Sequence, residues 1–262
     1  MPKATVKLIV TGDDFGYCPR RNQGIVECFL AGAVSNVSLL VNGSAVSDAV
    51  QLAKRNLGSW LALPANKGLG SFLPCFGNPG ATFSPLGCTT AGPFLSQNRK
   101  GPGSHSSPHI FAQVLKDYGI TYTRIPIEPD LPRCDWIDPP LMAFYQGVEK
   151  DSLNTVAVFR KHSIRWPDIY IGLSTMGKNM SVTNIRDQET RTVTIELMTH
   201  PGYPSIPPVG GCGEGPDDFS QSWERQHELE TLKNTELQNH YKTRNIELCL
   251  PPFLEAANIT FF

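Results

Sequence analysis

Thr11-Gly12-Asp13-Asp14-Phe15-Gly16 follows the apolar run Val6-Lys7-Leu8-Ile9-Val10. The run reads as a buried strand. Pro19-Arg20-Arg21 reads as a turn. Ile25, Val26, Phe29 and Leu30 then share one stripe, which predicts a helix from Asn22 to Ala31, stopped by Gly32. Two adjacent carboxylates therefore fall where a strand hands over to its helix. In α/β folds ligands and reacting groups gather at that end of the strands. Like charges side by side are costly to desolvate, and a divalent cation resolves the repulsion. One acid can then hold the metal while the other moves protons. Taken alone, the pair reads equally as an acidic turn capping the next helix.

Working outward, Val37-Ser38-Leu39-Leu40-Val41 predicts a second strand and Ala45 to Arg55 a second helix, with Val46, Ala49, Val50 and Ala53 inward. Strand and helix alternating at this spacing start a parallel βα array. The rhythm resumes at residue 109. A helix is expected over His109–Tyr118, buried through Ile110, Val114 and Leu115, then a strand over Thr121–Pro126 carrying Arg124. A helix follows over Pro140–His162, burying Leu141, Phe144, Val148 and Phe159. Strands are expected at Ile169–Leu173, Thr192–Met198 and Ile246–Cys249, and helices at Val182–Glu189 and Trp223–Tyr241. Six strands result, and two more would fit in the middle, so the expected fold is an α/β, irregular (β/α) barrel. Residues 1–250 are read as one domain, and 251–262 remain unassigned.

The middle is different. Residues 57–108 hold nine Gly and seven Pro among 52 residues, and no Asp or Glu. That exceeds the roughly 25–30% at which a segment reads as low-complexity. Trp60–Leu63 is its one candidate strand, and disorder is the expectation for the rest.

The 262 residues carry a net charge of −1, and no basic stripe points to nucleic acid. No apolar run approaches the ~18 residues of a membrane span, and Met1-Pro2-Lys3 leads straight into a strand rather than a signal peptide. Cys18, Cys28, Cys75, Cys88, Cys134, Cys212 and Cys249 form an odd, scattered set without a C-x-x-C pair. Free thiols in an intracellular, cytoplasmic protein are the expectation, so four Asn-x-Ser/Thr matches read as chance.

His200 ends a predicted strand, placed like Asp13 and Asp14, and a histidine titrating near neutrality can serve as a general acid. The bland reading is a surface histidine before a turn. Arg124 could hold a carboxylate or a substrate oxygen, or make a salt bridge at the rim. Gly210-Gly211-Cys212-Gly213-Glu214-Gly215 lacks a phosphate-loop lysine and reads as a substrate-facing loop. His105 and His109 have the i, i+4 spacing of a metal pair, but Pro108 between them argues for a loop.

A longer run of motifs carries a resemblance. Thr11 to Glu27, Val37 to Gly43, Thr123-Arg124-Ile125-Pro126, Tyr170 to Thr175, Glu196 to Tyr203 and Gly211 to Asp217 occur in order. Together they resemble the YdjC family of carbohydrate deacetylases, over about residues 5–56 and 109–249. The resemblance implies a (β/α) barrel of the TIM or polysaccharide-deacetylase type. It implies a hydrolase that removes acetyl groups from N-acetylated sugars or oligosaccharides with a divalent metal, Mg2+ or Zn2+. By resemblance Asp13 is the general base, Asp14 a metal ligand, His200 the group assisting the leaving amine and Arg124 the residue positioning the base. Tyr203 and Glu214 fall in the matching motifs as substrate-binding residues. A homodimer is compatible with this, with no nucleic-acid or membrane partner.

The family also supplies two histidine ligands, in Leu-His-Ala-Asn and Asp-Gly-His-x-His type motifs. Both belong where this chain has residues 57–108. Leu63-Pro64-Ala65-Asn66 echoes the first with Pro64 in place of histidine, and nothing echoes the second. A single carboxylate is a poor divalent site. The competing expectation is therefore an inactive variant or a sugar-binding pseudoenzyme.

Overall fold

A computed structural model describes residues 6–40, 43–56, 82–83, 107–117, 121–186, 194–212 and 215–249. Its axis is β1 (Val6–Phe15), buried along nearly its whole length. On one side β1 pairs parallel with β5 (Thr194–Thr199), in unbroken register from Lys7↔Thr194 to Gly12↔Thr199. On the other it pairs parallel with β6 (Ile246–Leu248) near its start and with β2 (Asn36–Leu40) near its end. Beyond β5 lies β4 (Ile169–Ile171), again parallel. Beyond β2 lies β3 (Thr82–Phe83), antiparallel. The order β3-β2-β1-β5-β4, with β6 alongside β1, makes one mainly parallel α/β sheet of six strands.

The α-helices among the described residues are α1 (Pro19–Leu30), α2 (Val46–Asn56), α3 (Ser107–Asp117), α4 (Pro139–Lys161), α5 (Val182–Arg186), α6 (Asp218–Gln221), α7 (Glu224–Leu232) and α8 (Thr235–Arg244). The main core joins Leu8, Val10, Ile195 and Leu197 of the sheet to Ile25 and Cys28 of α1, Leu229 and Leu232 of α7, and Leu237 and Tyr241 of α8. A second cluster seats Phe111, Ala112 and Leu115 of α3 on Phe159 of α4.

Several elements differ from expectation, each for a local reason. β1 runs through Phe15, so Asp13 and Asp14 lie on the strand and not in a turn beyond it. From Gly12 to Phe15 it takes three residue steps while β2 takes two, Val37 to Leu39. This is a bulge, and Asp14 absorbs the extra residue at φ 65°. α1 starts at Pro19, because proline fits the first helical position and the Cys18 sulfur accepts from the Arg21 N–H as a cap. Pro108 likewise opens α3 rather than breaking it, which puts His109 on a helix. The buried face of α3 is Phe111, Ala112 and Leu115, while Ile110 is exposed. On α4, Tyr145 is buried and Leu141 and Phe144 face outward. The expected strand at Thr121–Pro126 is extended chain making one parallel bridge, Tyr122↔Arg165. The single helix expected over Trp223–Tyr241 is two, because the Asn234 side chain accepts from the Glu236 N–H and caps α8. Trp60–Leu63, most of the Gly/Pro-rich stretch with its expected disorder, His105 and the 251–262 tail lie outside the described residues. Among the described residues no helix is long and apolar enough to cross a membrane.

Candidate active site

The C-terminal ends of β1 and β5 lie side by side, since Gly12 is in register with Thr199. Asp13 and His200 are the next residue on each strand, so register alone brings them to one end of the sheet. Asp13 is buried, with 3% of its surface exposed, and turns inward to Arg124. The guanidinium forks onto it, Nη1 to Oδ2 at 2.6 Å and Nη2 to Oδ1 at 3.1 Å. The other edge of the guanidinium is held by Glu196 of β5, with Nε to Oε1 at 3.0 Å and Nη2 to Oε1 at 2.8 Å. Thr11 donates to the same oxygen at 2.9 Å, and Asn36 donates to Thr11 at 3.1 Å. Arg124 thus stands between two buried carboxylates, an arrangement that a planar five-donor group can serve and an ammonium cannot. Burial opposes its charge, but Asp13 and Glu196 outweigh that and hold it protonated. Burial pushes the Asp13 carboxyl up, and the pull of Arg124 does not fully reverse this. The result is a fixed carboxylate more basic than one in water.

Asp14, displaced by the bulge, points elsewhere and keeps 30% of its side chain exposed. Arg21 of α1, itself buried, reaches its Oδ2 at 3.2 Å. Burial raises the Asp14 carboxyl, with Arg21 opposing and Asp13 reinforcing.

His200 is nearly buried, at 9% exposure, and its Nδ1 has no hydrogen-bond partner among the described residues. Burial first, then Arg225, Arg21 and Arg124, holds its pKa well below the usual 6.5. The expectation of a histidine titrating near neutrality is therefore corrected: this imidazole rests neutral. Its peptide is gripped by α7. The His200 N–H donates to Glu228 Oε2, and Arg225 Nη1 donates to the His200 carbonyl at 3.2 Å. Its ring meets the Phe219 ring edge-on, 5.7 Å between centroids.

Tyr203 is drawn down the flank of α1, where its phenol donates to Glu27 at 2.8 Å and Arg20 lies over its ring. Its pKa is raised chiefly by that bond to Glu27. Glu214 lies outside the described residues. His109 is exposed and packs against His162, 5.9 Å between ring centroids.

Among the described residues no three His, Cys, Asp or Glu side chains converge as a metal site would need. Asp14 is the one acid of the pair with open surface, and Arg21 occupies one of its oxygens. The described donors therefore do not fit a complete divalent site. The stretch where the resemblance places two histidines lies mostly outside them.

Arg21, Glu196, Arg225 and Glu228 are not singled out by sequence reasoning. Glu196 leaves a signal, as the one charge inside the apolar strand Thr194-Ile195-Glu196-Leu197-Met198. The others sit in helices too polar for one buried charge to stand out.

The model of the YdjC-like protein family matches residues 7–90 and 105–243 of the chain, running into the Gly/Pro-rich stretch as far as residue 90. Carbohydrate deacetylases of Xenopus laevis and Danio rerio are 46% and 43% identical to it, covering 93% and 95% of this chain and 96% and 98% of their own. The human carbohydrate deacetylase is 40% identical over 95% of this chain and 91% of its own. The Xenopus alignment spans 298 positions, more than the 262 residues here, so it carries gaps on this side. A crystal structure from Enterococcus faecalis, of a protein whose name suggests cellobiose-phosphate cleavage, superposes with a TM-score of 0.52. At 16% identity, covering 94% of this chain and 97% of that one, it speaks to the α/β fold alone. The matched model, the vertebrate relatives and the ordered motifs on β1, β2 and β5 agree that the chain belongs to the YdjC-like family.

Proposed function

We propose that this site is a hydrolase site for the acetamido group of N-acetylated carbohydrates. The observation that carries it is Asp13, a buried carboxylate fixed bidentately by Arg124 at the strand ends, next to Asp14 with its open surface and the nearly buried His200. Deacetylation needs a base to take a proton from the attacking water and a group to serve the departing amine. Asp13 suits the first task because its raised pKa makes it a better base and Arg124 fixes its direction. His200 suits the second: a neutral imidazole can pass on a proton handed to it, but does not hold one in reserve. The names of the vertebrate relatives point to the same substrate class. The family's divalent metal belongs to this reading, with Asp14 as the ligand this chain offers. The described donors do not complete a site for it. Tyr203, bound to Glu27, is better read as packing for α1 than as a substrate contact.

A second reading has its own observation: Pro64 stands where the resemblance places a histidine, and nothing in 57–108 echoes the other. On it, this chain as written binds metal weakly and releases little acetate. Losing even an outer partner of a metal site costs ~10–100-fold, and losing two ligands costs more. Acetate release from N-acetylated chitooligosaccharides, measured beside the metal content of the protein, tests both readings. Release abolished by a chelator supports the first reading. No release from this chain, but release once the two histidine motifs are restored, supports the second. No release from either removes the deacetylase reading.

A further inference from the structure

An imidazole that moves protons is usually aimed by a hydrogen bond to its far nitrogen. His200 has no such bond among the described residues, since Nδ1 is buried and unpartnered. Its orientation must come from its peptide and from packing. Both lead to one turn of α7. The two Glu228 carboxylate oxygens each accept a backbone N–H, Oε2 from His200 after β5 and Oε1 from Gly177 after β4 at 2.7 Å. Arg225 donates to the His200 carbonyl and makes a charge contact with Glu228 Oε1 at 3.2 Å. The Arg225 guanidinium carbon lies 3.4 Å from the Phe219 ring centroid, and the Phe219 ring meets the imidazole at 80°. The carbonyl of Arg225 also accepts the Gly202 N–H at 3.1 Å, fixing the chain two residues on.

We propose that Arg225 and Glu228 are positioning residues for His200, a clamp that grips both the N–H and the C=O of its peptide and steadies its ring through Phe219. Their importance to the reaction rests on the reading of His200 given above; the clamp itself rests on distances. Stability is a poor explanation for the pair. Both side chains are fully buried, and an apolar pair of the same volume often serves a core as well or better. What an apolar pair cannot do is accept two N–H groups from separate strand ends and donate to a carbonyl between them. Glu228 also ties the segment after β4 to the one after β5, so the clamp fixes His200 relative to two strands.

The test uses the whole 262-residue protein carrying 13C,15N-histidine, with H200Q assigning the signal among six histidines. The clamp predicts one sharp His200 ring signal and a strongly protected His200 amide. In E228Q the amide side chain can accept only one of the two N–H groups, because its NH2 meets the other. The His200 signal should broaden or double, and its amide should exchange about tenfold faster or more, while the other histidine signals hold. R225K should do the same, since an ammonium cannot stack on Phe219 and reach the carbonyl together. Folded E228Q and R225K with unchanged His200 signals would overturn the proposal. If either fails to fold, F219L carries the test. It leaves the ion pair intact, and an unaltered ring lineshape there would equally overturn it. Absent acetate release even with the two histidine motifs restored would remove the assigned role of His200 but leave these signals, so the two failures are distinguishable.

Discussion

At the scale of single residues, the site is organised by arginines placed between carboxylates. Arg124 is the clearest, because Asp13 and Glu196 are both buried and neither has water to fall back on. R124M should destabilise the protein by about 3–5 kcal/mol, the cost of leaving buried charges unpaired. R124K should cost less but still weaken it, because an ammonium cannot keep the forked bond to Asp13 and both bonds to Glu196. Urea melts of the two variants check the order. His200 gives a prediction in pH. Its folded pKa lies below the unfolded 6.5, so between those values the unfolded chain binds more protons. The stability it contributes is intact above pH ~6.5 and is lost as pH falls toward the folded pKa. The raised carboxyls of Asp13 and Asp14 act in the opposite sense, taking up protons in the folded state first. The test is therefore a difference: H200Q should lose less Tm than wild type between pH 7.5 and 5.5. An equal loss would mean that burial does not hold this imidazole neutral.

At the scale of elements, close backbone contacts set the geometry. A Cβ on Gly24 would lie 2.3 Å from the Gly202 Cα, so α1 and the loop after β5 touch backbone to backbone. G24A gains about 1 kcal/mol of helix propensity, but overpacking against a backbone atom costs about 1–3 kcal/mol, and the second effect should win. Thermal melting should show a net loss of stability, and a rise in Tm would contradict the packing described. Elements were legible in the sequence where a local signal set them. The apolar run of β1, the Ile25 and Val26 part of the α1 stripe and the stop at Gly32 are examples, whereas Leu30 of that stripe is exposed. They were illegible where a single contact decided. The β1 bulge depends on pairing with β2, which no period in the sequence records. The break between α7 and α8 depends on one Asn234 cap. The exposed Ile110 and buried Phe111 differ by one helical position, which an amphipathic pattern cannot resolve without the partner helix.

At the scale of the whole molecule, Asp13, Asp14, Arg124 and His200 could be picked out from strand ends and ordered motifs. What surrounds them could not. Glu196, Arg21, Arg225 and Glu228 act through side-chain bonds between residues from 7 to 185 positions apart, and only Glu196 leaves a local signal in its segment. The roles assigned to them need the fold. The middle of the chain carries the decisive question, because the resemblance implies two histidine ligands there and residue 64, in Leu63-Pro64-Ala65-Asn66, is proline. On the proposed reading, Asp13 and Asp14 would supply a base and one ligand for deacetylation, while the described donors do not complete a metal set. The most direct measurement compares acetate release from N-acetylated chitooligosaccharides by this chain and by a chimera. The chimera takes residues 57–106 from the Xenopus laevis relative, and both proteins are assayed with and without chelator. The second reading predicts little or no release from the chain as written, chelator-sensitive release from the chimera, and loss of that release on D13N with metal content largely retained. Robust, chelator-sensitive release from the unaltered chain would contradict it.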